Sequence, residues 1–141
     1  MKILIRANDS DSYNIDFEVV FKRLNEELSK IEQSLELICA GGYVLQLHGY
    51  KATVDVDAFF ITNDKINKAI EIVGNEFSIN RPDELWLNNS ISNLNKKPKA
   101  EHYNPVHQFS NLTVNAVDIV YVIGMKLISG REQDVKDIMR V

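Results

Sequence analysis

The chain predicts an α/β fold built on a small sheet. Stretches with helical apolar spacing alternate with short apolar runs of strand length, and a Gly-Gly turn closes one of those runs. No internal repeat or low-complexity tract interrupts the order. At 141 residues, with 45% hydrophobic side chains, the chain fits a single domain, residues 1–141, around one core.

Residues Asp16 to Gln33 predict a helix, because Phe17, Val20, Phe21, Leu24, Leu28 and Ile31 recur at three and four. Leu35 to Ala40 suits a buried strand, ended by Gly41-Gly42. Tyr43 to His48 reads as a short helix, with Gly49 in the C-terminal glycine position. Thr53 to Ile61 alternates and then turns wholly apolar, as a strand running into the core does. Asp64 can start a helix from about Lys65 to Phe77, with Ile66, Ala69, Ile70 and Val73 on one face. Ser78 to Asn104, rich in asparagine, reads as a loop with a short helix around Glu84 to Leu94. Val106 to Val114 predicts one strand. Val117 to Ser129 predicts an apolar helix with Asp118 in its first turn, Gly130 breaks it, and Arg131 to Val141 forms a last helix.

The balance of 16 basic and 20 acidic residues leaves a net charge of -4. That argues against broad non-specific binding to nucleic acid. Cys39, the one cysteine, has no internal partner and lies in an apolar run, so it reads as a buried structural thiol. No apolar stretch approaches the ~20 residues of a membrane span. Charge interrupts the N-terminal residues too early for a signal peptide, and the expectation is a soluble cytoplasmic protein with no membrane partner.

The chemistry concentrates in Ala40-Gly41-Gly42 and, twelve residues later, Asp55-Val56-Asp57-Ala58. Aspartates at i and i+2 of a strand share a face, about 7 Å apart. Such a pair repels itself, and a hard divalent cation relieves the repulsion; Mg²⁺ takes one or two carboxylates plus phosphate oxygens. Two solvated aspartates on a strand edge are the plain alternative. The diglycine exposes backbone amides at a helix start, where an anion can bind, although many such pairs are ordinary turns.

The order of glycine turn, helix and Asp-x-Asp strand resembles the signature of the polymerase-β-like nucleotidyltransferase superfamily. The run from Gly42 to Asp57 is similar to the first motif of small bacterial AbiEii and minimal nucleotidyltransferase proteins, with Lys51 and Thr53 before the aspartates. Trp86-Leu87-Asn88 resembles a Trp-Leu-Asn element of some members. Met125-Lys126-Leu127, Gly130-Arg131, Asp134 and Asp137-Ile138 resemble their C-terminal pattern.

That resemblance implies a nucleotidyltransferase fold (α+β), a small mixed sheet flanked by helices. It implies Mg²⁺, one ion or two, on Asp55 and Asp57 as metal-binding and catalytic residues. Gly41, Gly42, Lys51, Thr53 and Lys126 would bind a nucleoside triphosphate. The implied reaction moves a nucleotidyl group to a hydroxyl of a protein, RNA or small molecule, as in toxin–antitoxin or phage-defence pairs with a cognate protein or RNA partner. A catalytically degenerate binding or antitoxin protein is the alternative. Members usually carry a third carboxylate on a later strand; Val106 to Val114 has none, and Glu101 or Asp118 could stand in. Lys126, Arg131, Asp134 and Asp137 divide between phosphate or metal binding and pairing that fixes the last helices. Trp86 reads as a packing anchor, with base stacking the alternative. His48, His102 and His107 lack metal-ligand spacing. Members often continue beyond this point, so the expectation is a single domain lacking the C-terminal extension that they carry.

Overall fold

The computed structural model describes residues 4–6, 13–50, 53–93 and 96–120. β1 (Leu4–Arg6) and β2 (Tyr13–Ile15) form a small antiparallel ribbon. α1 (Phe17–Lys30), β3 (Leu35–Ala40), α2 (Gly41–Leu47), β4 (Val56–Phe59) and α3 (Asp64–Phe77) follow. β5 (Leu87–Asn88), β6 (Tyr103–Gln108) and β7 (Leu112–Val117) complete a five-stranded sheet in the order β5-β4-β3-β7-β6. β3 pairs antiparallel with β4 and parallel with β7, so the sheet is mixed and helices flank it, as the sequence predicts.

The helices start where short polar side chains can take backbone N–H groups. Asp16 accepts from Glu18 N at 3.1 Å and caps α1. Asn63, not Asp64, caps α3, accepting from Ile66 N at 2.9 Å. α1 and α3 lie together on one sheet face, burying Val20, Phe21, Leu24, Ile70 and Val73 against Leu37, Val56, Ala58 and Val114. Each such large side chain contributes roughly 1.5–3 kcal/mol by leaving water. Arg23 ties the two helices outside this core, meeting Glu76 at 3.1 Å and Glu27 at 2.6 Å. A second cluster, with Ile38, Ala40, Val44, Phe59 and Val117, covers the other face.

Trp86 is fully buried at the centre of the larger cluster. Its ring stacks on Phe17 at 6.3 Å and meets Phe21 at 5.8 Å, and its indole N–H donates to Ile70 O at 2.8 Å. The packing reading of Trp86 therefore stands, with the ring unavailable to a base. Gly74 on α3 makes room for it. A methyl group there would press into Asn80 Oδ1 and stand 2.5 Å from Trp86 Cδ1.

Three stretches differ from expectation. The strand expected over Val106 to Val114 is a hairpin of β6 and β7, because Asn111 turns the chain. Asn111 N donates to Asn25 Oδ1 at 2.7 Å and its amide donates to Gln33 O at 2.9 Å, pinning the turn to α1 and the segment after it. β6 is an edge strand, which tolerates Pro105; a register shift between Pro105 and His107 leaves Val106 as an extra residue. In place of the helix around Glu84 to Leu94, Trp86 draws Leu87–Asn88 into the sheet, and a 3₁₀ turn at Ser90–Asn93 follows. β7 extends to Val117, so the helix expected from Val117 starts later; residues 119 and 120 are helical. The rest of that helix, and the last one, lie outside the described residues.

Gly74→Ala should destabilise the fold. Alanine gains up to ~1 kcal/mol of helix propensity, but overpacking against Trp86 should cost about 1–3 kcal/mol. Urea unfolding should show a net loss, where an unobstructed helix glycine would show a gain.

Candidate functional site

At the end of β3 the backbone leaves extended geometry at Ala40 (φ −139°) and turns left-handed at Gly41 (φ +62°) to begin α2. β4 runs antiparallel beside it, with Asp57 opposite Ala40. The glycine turn therefore stands against the acidic strand. A methyl group on Gly41 would sit 3.0 Å from Asp57 Oδ2, and one on Gly42 would sit 3.0 Å from Thr53 Oγ1. Both glycines let the backbone approach side-chain oxygens of the predicted site. Ala40 offers no side-chain cap, so the first amides of α2 carry no capping oxygen from it.

Asp57 lies within β4, whereas Asp55 precedes the strand. Thr53 holds Asp55 in place. Its hydroxyl stands 3.0 Å from Asp55 O and 3.2 Å from Asp55 Oδ1, and Asp55 N approaches it at 3.4 Å. The single hydroxyl proton serves one of those two acceptors at a time. Thr53 N in turn donates to Gln46 Oε1 at 2.7 Å, and Gln46 Nε2 donates to Ile15 O at 3.1 Å. Gln46 thus links α2, β2 and the approach to β4. Thr53, expected as a nucleotide contact, is engaged in positioning the first aspartate.

Two features of this region were not read from the sequence. Arg81 Nη2 lies 3.2 Å from Asp55 Oδ2, so the first aspartate has a cationic partner. Asn88 sits opposite Asp57 on β5, and paired residues of a ladder share a face. Its Oδ1 accepts from Ser90 N at 3.2 Å, but its Nδ2 is buried with no hydrogen-bond partner. Arg81 follows Asn80 in an irregular segment without periodicity, and no spacing rule links it to Asp55.

Neither candidate third carboxylate joins the pair. Glu101 is exposed and lies 3.4 Å from its neighbour His102 Nε2. Asp118 follows β7, two strand spacings or roughly 9–10 Å from β4. Its Oδ1 accepts from Asn104 Nδ2 at 3.4 Å, on the β6 side. Among the described residues no group of three or more His, Cys, Asp or Glu side chains could hold a metal. Two hard carboxylates fit Mg²⁺, which fills its other positions with water and phosphate oxygens; they fall short of a zinc site. Lys51 and Lys126 lie outside the described residues, as do Arg131, Asp134 and Asp137.

Burial raises the Cys39 thiol pKa well above its ordinary value, with the charge of Asp57 adding to the effect. A cavity of about 470 Å³ opens between Glu36, Phe59, Asn63 and Lys97, and neither Asp55 nor Asp57 lines it. No helix among the described residues is long and apolar enough to cross a membrane.

A glycine turn closing the central strand, with an aspartate of the antiparallel neighbour beside it, defines a nucleotidyltransferase-like domain. The chain belongs to the family described as nucleotidyltransferase of unknown function (DUF6036), whose sequence profile matches residues 15–140. No curated protein and no solved structure matches it.

Two outcomes follow from this geometry. Gly41→Ala should cost about 1–2 kcal/mol for a left-handed alanine and should displace the Asp57 carboxylate, measured as lower stability together with weaker divalent-metal binding. The Cys39 thiol should resist a water-soluble thiol reagent at pH 8 in native protein and react fully in denaturant, in a timed labelling assay.

Proposed function

We propose that the protein is a Mg²⁺-dependent nucleotidyltransferase that moves a nucleoside monophosphate from a nucleoside triphosphate to a hydroxyl. One observation carries the reading: the Gly41 turn and the Asp57 carboxylate are in close approach. A phosphate on the Gly41 and Gly42 amides would meet the like charge of Asp57 unless a cation lay between them. Asp55 and Asp57 would hold that cation, with Thr53 fixing the orientation of Asp55. Bound Mg²⁺ would supply neutralisation of the charge that develops on the leaving pyrophosphate. The acceptor oxygen would bond to the α-phosphorus as the bond to the bridging α,β-oxygen breaks and pyrophosphate departs. Lys51 and Lys126 are proposed as further phosphate contacts on the strength of the sequence resemblance. The same resemblance, to AbiEii-type proteins, supports a place in a toxin–antitoxin or phage-defence pair and a protein, RNA or small-molecule acceptor.

A second reading, nucleotide binding without transfer in a degenerate or antitoxin protein, is favoured by one observation. Neither Glu101 nor Asp118, the two candidates for the base, completes a three-carboxylate group with the pair among the described residues. Titration of ATP, GTP, CTP and UTP with Mg²⁺ tests both readings. Wild type should bind at least one of them only with metal, and Asp55→Ala/Asp57→Ala should lose binding by tenfold or more, on the order of one charge-assisted contact. Absence of metal-dependent binding would sink both. Pyrophosphate release in the presence of an acceptor supports transfer; binding with none supports the second.

A further inference from the structure

Arg81 comes from the segment between α3 and β5, and that segment is anchored on both sides of it. Asn80 Nδ2 donates to Glu71 O at 3.0 Å and Asn75 Oδ1 at 2.9 Å, while Asn80 Oδ1 accepts from Trp86 N at 3.1 Å. Arg81 N donates to Glu84 O at 2.9 Å, and Ile79 is buried just before. The backbone of Arg81 is therefore held, and the movable part is its side chain. That side chain is 53% exposed and meets a carboxylate that is 22% exposed. Ion pairs so open to water are weak.

The two oxygens of Asp55 are divided between two partners. Oδ1 lies at Thr53 Oγ1 and Oδ2 at Arg81 Nη2. A metal ion that reaches Oδ2 competes with the guanidinium for that oxygen and is repelled by its charge. The planar fork of N–H donors on a guanidinium matches phosphate oxygens. A displaced guanidinium, tethered one residue after Asn80, remains beside the acidic pair where an anionic ligand would lie.

We propose that Arg81 is the resident counter-ion of Asp55 and hands that carboxylate to the metal when the nucleotide arrives, turning its own charge to the triphosphate. This deepens the proposed function and rests on it. No covalent bond changes in the exchange; one ion pair breaks and another forms. Arg81 opposes binding of metal alone and favours binding of metal with nucleotide, so its removal moves the two affinities in opposite directions. A merely structural ion pair would move neither that way.

The test uses Mn²⁺ alone, read from the free-ion signal in electron paramagnetic resonance, followed by titration of the four nucleoside triphosphates with Mg²⁺. Arg81→Gln should bind Mn²⁺ up to about fivefold more tightly, the span of an exposed ion pair. It should bind the preferred nucleotide about tenfold more weakly, as loss of a charge-assisted contact to phosphate does. Arg81→Lys should fall between wild type and Arg81→Gln for nucleotide, and circular dichroism should report the same fold for all three. If wild type binds Mn²⁺ and Asp57→Asn abolishes that binding, yet Arg81→Gln leaves both affinities unchanged or lowers both, the Arg81 proposal is overturned alone. If no nucleoside triphosphate binds wild type in a metal-dependent way, the metal–nucleotide reading fails and the Arg81 proposal falls with it; if nucleotide binds with Mg²⁺ yet neither wild type nor Arg81→Gln holds Mn²⁺ on its own, the Arg81 proposal is overturned alone.

Discussion

Trp86 makes three hydrogen bonds that run in different directions, and the site depends on all of them. Its indole N–H goes to Ile70 O on α3, its backbone N–H to Asn80 Oδ1, and its carbonyl accepts from Val56 N at 2.6 Å. A buried indole needs a partner for its N–H, and a helix carbonyl keeps a second lone pair after serving its own helix. By helix geometry the N–H served by Ile70 O belongs to Gly74, the residue that lacks a side chain beneath the ring. Asp55 lies one residue before Val56 and Arg81 one residue after Asn80. Both members of the ion pair over the site are thus one peptide removed from a bond to Trp86. The anchor that closes the core also sets the spacing of the charges outside it.

The diglycine has two physical tasks. The amides after Ala40 are offered to an anion, and the missing side chains admit Asp57 and Thr53 to close range. The second task explains why the turn and the acidic strand form one unit. A side chain on Gly41 would press the turn away from Asp57, and one on Gly42 would press it away from Thr53. Thr53 and Gln46 extend the unit, since the chain from Ile15 through Gln46 to Thr53 ends on Asp55.

Much of this was legible in the sequence because its causes are local. Apolar spacing located α1 and α3, and the break at Gly41-Gly42 located the end of β3. Asp55 and Asp57 were picked out because strand alternation puts i and i+2 on one face; in the fold only Asp57 lies in β4, and Asp55 precedes it. The hairpin at Asn111 was missed because its determinants are bonds to Asn25 and Gln33, far away in sequence. β5 was missed because two residues have no period to read, and they pair only where Trp86 is already seated. Arg81 was missed for the same reason: its partner is Asp55, and only the fold brings the two together.

The charge balance of the pair bears on what such a site can do. Among the described residues, Asp55, Asp57 and Arg81 together carry a single net negative charge. A divalent cation would turn this to a net positive charge facing a strongly anionic triphosphate, with the guanidinium available beside it. A third carboxylate would cancel that surplus while supplying a base for the attacking hydroxyl. Among the described residues, that charge balance would suit the proposed metal–nucleotide better than it would suit taking a proton. In the transfer reading, no third carboxylate among the described residues joins the pair as a base, so the proton of the attacking hydroxyl would pass to water, to a group that the acceptor brings or to a residue outside the described set. For the described residues, the contribution to such a transfer would then be position and charge, and the acidity of the acceptor would weigh on the rate.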